Sequence, residues 1–145
     1  MKKHIRMICI VLALSLVFAV PVSAESEAQP WASLFFAVHD CFLIRVDSST
    51  FKICFDVLGT GTMYEIGVSS IEVDRSADGE NWSLMRTYDA EDYPQMLGEN
   101  TITHDGYITY RYANPGYYYR AYITFYARNS RGIGERYRYT AVMQL

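Results

Sequence analysis

The chain has 145 residues, of which half are hydrophobic and 15% are aromatic, and it carries a formal charge of −3. That length fits one domain whose core can bury roughly two thirds of the unfolded surface, so folding needs neither a structural metal nor several disulfides. The acidic balance argues against nucleic acid as a partner, because binding to phosphates depends on lysine and arginine.

The N-terminus has the three-part pattern of a secretory signal peptide. Its first six residues include three basic side chains, residues 7–20 are almost wholly apolar, and residues 22–24 are small or modest in size. The alternative is a membrane anchor, but a spanning helix needs roughly 20 apolar residues, and this run is shorter and closed by Pro21. We therefore expect residues 1–24 to be removed and the protein to be secreted.

The mature chain, residues 25–145, is expected to be a freely released extracellular monomer with no membrane association. Removal of the leader takes three of the thirteen basic residues and none of the sixteen acids, which leaves a formal charge of −6. Ala24 is followed by Glu25 rather than by a cysteine that could accept a lipid, and no second apolar segment lies near Leu145. Residues 25–31 are predicted to form a flexible lead-in.

Two cysteines, Cys41 and Cys54, remain once the leader has taken Cys9 with it. An even pair in an exported chain favours one disulfide, and the two flank a turn predicted at residues 47–50. Strands meeting across that turn could place the cysteines opposite one another, whereas a slip of one residue would point one of them away. The alternative to the disulfide is a pair of buried thiols.

Nearly all of the mature sequence has the pattern of strands and turns. It is rich in aromatic and β-branched residues, which suit half-buried pleated surfaces, and no window longer than about ten residues has a capped 3.6-residue period. Seven strands are predicted, at residues 31–46, 51–58, 69–75, 82–88, 102–112, 117–128 and 135–143. Short strands at this spacing, separated by turns, are typical of an antiparallel β-sandwich.

Alternation predicts which side chains of the second strand face the core. The odd positions of residues 51–57 are all apolar and are predicted to point inward, which leaves Cys54 on the other face. The glycines in residues 59–62 are predicted to break the strand, with residues 63–67 as a connection to the next one.

The third strand leads into a predicted hairpin. Ile71 and Val73 are expected to point inward, and an Asp-Gly pair in residues 76–81 supplies the positive-φ position of the turn. Residues 89–101 are then the longest stretch predicted to be irregular, and a loop of that length is usually functional or mobile.

Two segments resemble fibronectin type III domains. Residues 71–82 are similar to their C–C′ hairpin, and residues 114–121 with residues 128–132 are similar to their E–F corner, F strand and F–G turn. The resemblance implies an all-β fold, a single antiparallel β-sandwich of fibronectin type III or immunoglobulin-like type. It also implies a tyrosine corner, in which a tyrosine hydroxyl bonds backbone a few residues upstream. Tyr117 is the candidate, with Tyr119 next.

The mature chain as a whole is similar to a family of small secreted proteins from Gram-positive bacteria without an assigned function. The matching segments are FDV (55–57) with GTGTM (59–63), EIG (65–67), DYP (92–94) with MLG (96–98), and YRAY (119–122). This resemblance implies export and a β-sandwich, and it supplies no activity, ligand or catalytic residue. The chain departs from the fibronectin pattern at Phe55, where those domains usually carry a core tryptophan.

The residue patterns predict no catalytic site, no metal site and no cofactor. The mature histidines are His39 and His104, and a zinc site needs about four ligands, for which no second cluster exists. No serine combines a neighbouring base with a strained elbow. The acids of residues 89–99 are interpreted as solvated charge, with calcium on the first three of them as the weaker alternative.

Alternation in residues 117–128 gives one apolar face and one face rich in tyrosine and arginine. The binding candidates on that second face are Tyr118, Arg120, Tyr122, Tyr126 and Arg128, joined by Arg138 of the last strand. The last strand would widen this stripe either with its arginines or with Tyr137 and Tyr139. Tyrosine and arginine are enriched where proteins bind partners. The alternative is that cross-strand pairs merely stabilise an exposed sheet, by roughly 0.2–1 kcal/mol each.

Two functions are therefore weighed. The first is a non-catalytic binding module that uses the stripe to recognise an extracellular protein or polysaccharide. The second is a small secreted hydrolase that acts on glycans or peptides with the acids of residues 89–99. A glycosidase needs two acids held at a fixed separation in a cleft, and a surface loop offers no evident cleft. The sequence therefore favours the binding module over an enzyme.

Overall fold

The computed structural model describes residues 34–145, and its regular structure is almost entirely strand. The strands are β1 (Phe36–Arg45), β2 (Phe51–Ser76), β3 (Ser83–Asp89), β4 (Leu97–Tyr110), β5 (Tyr118–Asn129), β6 (Gly132–Tyr139) and β7 (Met143–Gln144). A 3-10 turn, Pro94–Met96, lies between β3 and β4. No helix in residues 34–145 is long and apolar enough to cross a membrane. The predicted signal peptide and lead-in lie outside the described residues.

The longest strand, β2, runs through both halves of the fold. Its first part, from Phe51 to Gly59, pairs antiparallel with β1 on one side and with β4 on the other. Its second part, from Glu65 to Ser76, pairs with β5 and, from Ser70 onward, with β3. All seven strands therefore join in one antiparallel hydrogen-bonded network, which β6 and β7 extend beyond β5.

The break predicted at residues 59–62 is wrong, because the chain stays extended there. The Thr60 amide donates to the Phe35 carbonyl, and the Thr60 hydroxyl donates to the Leu34 carbonyl. Gly59 leaves room for the chain to pass, since a Cβ at this position would lie 2.9 Å from a main-chain oxygen. These residues therefore form a bend within β2 whose polar groups are satisfied by a segment distant in sequence.

The two parts of the network pack face to face as the layers of a β-sandwich. The first layer contains β1, the first part of β2, and β4; the second contains β3, the second part of β2, β5 and β6. The ring of Phe51 in the first layer lies 5.3 Å from that of Tyr119 in the second, and the rings of His39 and Phe125 lie 5.2 Å apart. This division matches the A–B–E and C–F–G pairing of immunoglobulin-like domains, which confirms the predicted all-β sandwich.

The core consists of the side chains that alternation assigned to it. The odd positions of residues 51–57 are buried, whereas Cys54 is only partly so, and Ile71 and Val73 are fully buried. On β5 the fully buried side chains are Tyr119, Ala121, Ile123, Phe125 and Ala127. Burial of each large apolar side chain stabilises the fold by roughly 1.5–3 kcal/mol, so β2 and β5 hold the two layers together.

The hairpin between β2 and β3 forms at residues 76–81, as predicted. Gly79 has a φ of +79°, and the Asp78 carboxylate accepts hydrogen bonds from the amides of Glu80 and Asn81. The bond from the Asn81 amide, more than any other, holds the pKa of Asp78 well below its usual value.

The irregular stretch predicted at residues 89–101 is shorter in the structure. β3 continues to Asp89 and β4 begins at Leu97, which leaves residues 90–96 as the connection. The first residues of β4 pair with the middle of β2, where Leu97 lies opposite Gly67. These first residues of β4 contain glycine and polar side chains and lack an alternating pattern. Their extended conformation therefore follows from pairing with β2 and could not be predicted from the local sequence.

The predicted disulfide between Cys41 and Cys54 is wrong, because both are free thiols. The register of β1 on β2 sets Cys41 opposite Phe55 and Cys54 opposite Phe42, and directly opposite residues of an antiparallel pair share a face. Cys41 therefore points into the core and Cys54 points outward. Burial raises the pKa of the Cys41 thiol to about 11, which keeps it protonated and unreactive at neutral pH.

The tyrosine corner is formed by Tyr119 and not by Tyr117. The Tyr119 hydroxyl accepts a hydrogen bond from the Asn114 amide at 2.7 Å, and its side chain is fully buried. Tyr117 precedes the first residue of β5 and is only partly buried. Its ring lies under Arg75, whose guanidinium carbon is 4.8 Å from the ring centroid.

Candidate functional site

The predicted tyrosine/arginine stripe lies on the side of β5 that points away from the core. Because the inward positions of β5 are fully buried, the intervening ones face outward, where they are half-buried apart from the exposed Arg128. We call the outer face the set of stripe residues on β5 and their neighbours: Tyr118, Arg120, Tyr122, Tyr126, Arg128, Glu65, Asp74, Trp82, Tyr137 and Tyr139. The structure thus brings together five of the six predicted binding residues.

Tyrosines of β6, rather than its arginines, widen the outer face. The register sets Tyr139 opposite Tyr122 and Tyr137 opposite Thr124. The Tyr122 and Tyr139 rings are 4.7 Å apart between centroids, and the Tyr122 and Tyr137 rings are 6.0 Å apart and nearly parallel, at 5°. Three tyrosines from two strands therefore form a continuous row of rings.

Arg138, the sixth predicted binding residue, does not lie on the outer face. It stands opposite Ile123, an inward position of β5, so its side chain leaves β6 on the other side. Its Nη1 atom is 3.2 Å from the Asp40 carboxylate and donates to the His39 carbonyl at 3.1 Å. Arg138 therefore links β6 to β1 at the edge of the sandwich.

Arg120 is the centre of the outer face. Its guanidinium carbon lies 4.2 Å from the ring of Trp82 on one side and 4.2 Å from the ring of Tyr139 on the other. Its Nε atom donates to the Asp74 carboxylate at 3.1 Å. The side chains of Arg120 and Asp74 are 25% and 14% exposed, so the pair is partly shielded from water. It holds the guanidinium beside the rings of Trp82 and Tyr139.

Arg128, at the far end of β5, is also paired with a carboxylate. Its Nε atom donates to Glu65 Oε2 at 2.8 Å. Burial, followed by the nearby charge of Glu65, raises the pKa of Tyr126, so this tyrosine keeps its proton. Both arginines of the outer face are thus neutralised by acids of β2.

The exposed tyrosines of β6 present hydroxyl groups to the solvent. Tyr137 donates a hydrogen bond to Glu135 Oε2 at 2.7 Å, and this bond is the main reason that the pKa of Tyr137 is raised. Rings, hydroxyls and carboxylates therefore lie side by side on a solvent-facing surface.

The acidic loop lies beside the outer face. A cavity of about 410 Å³ is lined by Glu65, Tyr126 and, from the loop, Asp89, Glu91 and Asp92. The three loop acids are exposed, so they lack the apolar surroundings that a carboxylic acid needs to act as a general acid near neutral pH. Within residues 34–145, no group of three or more His, Cys, Asp or Glu side chains is arranged to hold a metal ion.

The two histidines serve the packing of the sandwich. Burial lowers the pKa of His39, whose ring packs against Phe36 and Phe125 at 5.8 and 5.2 Å. The Nε2 atom of His104 lies 3.0 Å from the Gln95 carbonyl oxygen. His39 of β1 therefore contacts β5, and His104 of β4 contacts the 3-10 turn that precedes β4.

Trp82 is a member of the outer face that the sequence patterns did not identify. It was assigned only to the start of the return strand, whereas in the structure it follows the hairpin and covers Arg120. A tryptophan directly after a turn was the available signal, since tryptophan is enriched at binding surfaces.

Comparison of the sequence with models of known protein families gives no match, and comparison with curated proteins finds no similar chain. The resemblance to small secreted proteins of Gram-positive bacteria therefore stays a prediction.

Proposed function

We propose that this protein is a secreted, monomeric, non-catalytic binding module whose outer face docks against another extracellular protein. The observation that carries the proposal is the ladder of stacked groups on that face, in the order Trp82, Arg120, Tyr139, Tyr122 and Tyr137. Such residues supply a large contact area and several hydrogen-bonding groups at the centres of protein interfaces. Their mutual packing orders them before a partner arrives, which lowers the entropy cost of binding.

A protein partner fits this ladder better than a polysaccharide. Flat stacking on a sugar ring requires the free face of an aromatic ring. Here Tyr122 contacts Tyr137 and Tyr139, and Arg120 contacts Trp82 and Tyr139, so the rings are engaged with one another. Their edges and hydroxyls suit edge-to-face contacts and hydrogen bonds with protein side chains.

The charge of the outer face favours a partner with basic groups. Both of its arginines are paired with acids, whereas Glu72 and Glu135 have no lysine or arginine within 4.0 Å in residues 34–145. Glu72 lies opposite Tyr122, and Glu135 lies opposite Tyr126. Two carboxylates therefore flank the ladder and would steer a basic surface toward it.

A pair of matched aromatic variants tests the proposal. The partner is captured from the native culture medium and identified, and its affinity is measured for the parent, for Tyr137→Ala and for Phe42→Ala. The two side chains are 56% and 46% exposed, and Phe42 lies on β1 in the first layer. We expect Tyr137→Ala to weaken binding about tenfold or more and Phe42→Ala to leave it unchanged. Equal binding by parent and Tyr137→Ala would show that the ladder only stabilises the sheet.

The second candidate function is a hydrolase for glycans or peptides, which the cavity beside the acidic loop favours. It predicts turnover in a broad screen of such substrates that is lost in Asp92→Asn. A matched variant, Asp105→Asn on β4, should keep that turnover. No turnover in the screen, or equal turnover in both variants, speaks for the binding module.

A further inference from the structure

A second group of tyrosines and arginines lies away from the outer face, where the edges of β3 and β4 leave the sandwich open. We call it the tyrosine–arginine cleft. It encloses about 300 Å³, and its defining residues are Arg86, Tyr88, Tyr93, Tyr107, Arg111 and Tyr112. β3 and β4 each pair with β2 alone, so the main chain along this opening belongs to strand edges.

Arg86 is fixed in the cleft by aromatic rings. Its guanidinium carbon lies 4.9 Å from the ring centroid of Tyr88 and 5.6 Å from that of Tyr112, and its Nη2 atom donates to the Tyr93 hydroxyl at 3.4 Å. Tyr88 is itself buried and packs edge-on against Tyr93. Three tyrosines thus hold the guanidinium, which reduces the entropy that it loses when it binds an anion.

The cations of the cleft have no carboxylate partner. In residues 34–145, neither Arg86 nor Arg111 lies within 4.0 Å of an acid. Two guanidinium groups without a carboxylate partner at one opening can both donate hydrogen bonds to a carboxylate or phosphate group.

The cleft continues into a neighbouring depression, which makes it elongated. The depression holds about 410 Å³, shares Tyr107 and Arg111 with the cleft, and adds Lys52. Lys52 Nζ lies 3.9 Å from the centroid of the Tyr107 ring. Among the described residues, the one acid that lines either space is Asp47, whose carboxylate is engaged by the Ser49 amide at 2.7 Å. Arg86, Arg111 and Lys52 therefore line one elongated surface, with tyrosine rings between them.

We infer that the tyrosine–arginine cleft binds an acidic polysaccharide that carries carboxylate or phosphate groups. The row of cations requires an anionic ligand, and its length across two open depressions suits a polymer better than a small molecule. Tyr112 is 66% exposed and Tyr107 is 54% exposed, and the cation near each ring covers at most one of its two faces, so the other face can contact a sugar ring. This inference does not depend on the proposed function, because the cleft and the outer face share no residue.

The test is a calorimetric titration of the protein, purified in the form that cells produce, with defined polymers at low salt. The polymers are an oligogalacturonate, which carries carboxylates, a phosphomannan, which carries phosphates, a neutral dextran of similar length, and poly-glutamate. We expect binding to one or both acidic glycans that weakens as salt is added, because screening reduces the attraction between exposed charges. We expect no heat with dextran and weaker binding to poly-glutamate.

Variants locate the site. The double change Arg86→Ala and Arg111→Ala should weaken glycan binding at least tenfold, and Tyr112→Ala should weaken it several-fold. Arg131→Ala is the matched control, because Arg131 is an exposed arginine in the turn between β5 and β6. Circular dichroism and thermal unfolding confirm that each variant is folded.

Four results would overturn the inference. They are no binding to either acidic glycan, binding to dextran of equal strength, unchanged glycan binding by the double variant, and tighter binding to poly-glutamate. The last result would assign the cleft to acidic polypeptides instead. None of them bears on the outer face, whose test uses Tyr137→Ala.

Discussion

Tyrosine and arginine dominate two surfaces of this protein, but the arginines of the two have different partners. On the outer face, Arg120 and Arg128 donate to the carboxylates of Asp74 and Glu65. In the tyrosine–arginine cleft, Arg86 is held by rings and by one hydroxyl. An arginine paired with a carboxylate has fewer hydrogen-bond donors left for a ligand than one that contacts rings and a single hydroxyl. The two surfaces therefore differ in counter-charge and not in residue type.

The largest expected effect that tests this comparison is on stability. Replacing Arg120 with Ala removes a cation from between two rings and leaves Asp74, which is 14% exposed, without its partner. We expect the free energy of unfolding to fall by about 2 kcal/mol, measured by urea unfolding. The matched change Arg86→Ala should leave the urea midpoint within the error of the measurement. Equal losses in the two variants would mean that Arg86 is also a structural group.

The second prediction concerns the ionisation of tyrosines, for which the two surfaces should respond with opposite signs. Burial raises the pKa of Tyr88 in the cleft, and the charge of Arg86 partly offsets this. Arg86→Ala should therefore raise the pKa of Tyr88 further. On the outer face, Glu135→Gln should lower the pKa of Tyr137, because the hydrogen bond to Glu135 is what raises it. Titration of specifically labelled tyrosine by NMR measures both shifts, and shifts of the same sign would contradict the assignment.

The raised pKa of Tyr88 also sets a direction for the dependence of stability on pH. A group whose pKa is higher in the folded protein stabilises it fully below the unfolded value, near pH 10, and loses that contribution as the pH rises through the folded value. Stability should therefore decline above about pH 10. The decline should begin at the same pH in Arg86→Ala but extend to higher pH and be larger in total, since the unfolded value is unchanged and the folded pKa of Tyr88 is then higher.

The smallest expected effect is on the exposed ion pair of the outer face. Glu65→Gln should lower Tm by less than about 2 °C at low salt, because Arg128 is 46% exposed, and the difference should vanish at high salt. Glu99→Gln is the control, since Glu99 lies opposite Glu65 in the register and its removal relieves repulsion. A loss that persists at high salt would show that Glu65 contributes by more than charge.

The sequence predicted the strands whose two faces differ most in polarity. It missed that β2 continues through residues 59–62, because that depends on hydrogen bonds to a distant segment. Residues 51–57 and β5 alternate between apolar and polar side chains, so burial alone decides their orientation. The glycines at Gly59 and Gly61 have the signature of a turn, and only the bonds from Thr60 to Phe35 and Leu34 show that the chain stays extended. Local composition cannot reveal such partners.

The candidate site was predicted along one strand but not across strands. Alternation on β5 placed five outer-face residues correctly. The face on which Arg138 lies depends on the register of β6, because a shift of one residue moves every side chain of a strand to the other face. The turn between Asn129 and Gly132 is tighter than the predicted turn at residues 129–134. The tyrosine–arginine cleft combines residues of β3, of the loop after it and of the end of β4. No contiguous sequence motif could therefore have predicted it.

The unbroken course of β2 makes the molecule a single cooperative unit. Both layers hydrogen-bond to the same strand. Neither layer can therefore move away without breaking main-chain hydrogen bonds to β2. Assembly requires contacts between segments far apart along the chain, which is a high contact order, and such topologies fold in milliseconds to seconds rather than microseconds. The slowest-exchanging amides are expected at the middle of β2, which pairs with β4 on one side and with β5 on the other.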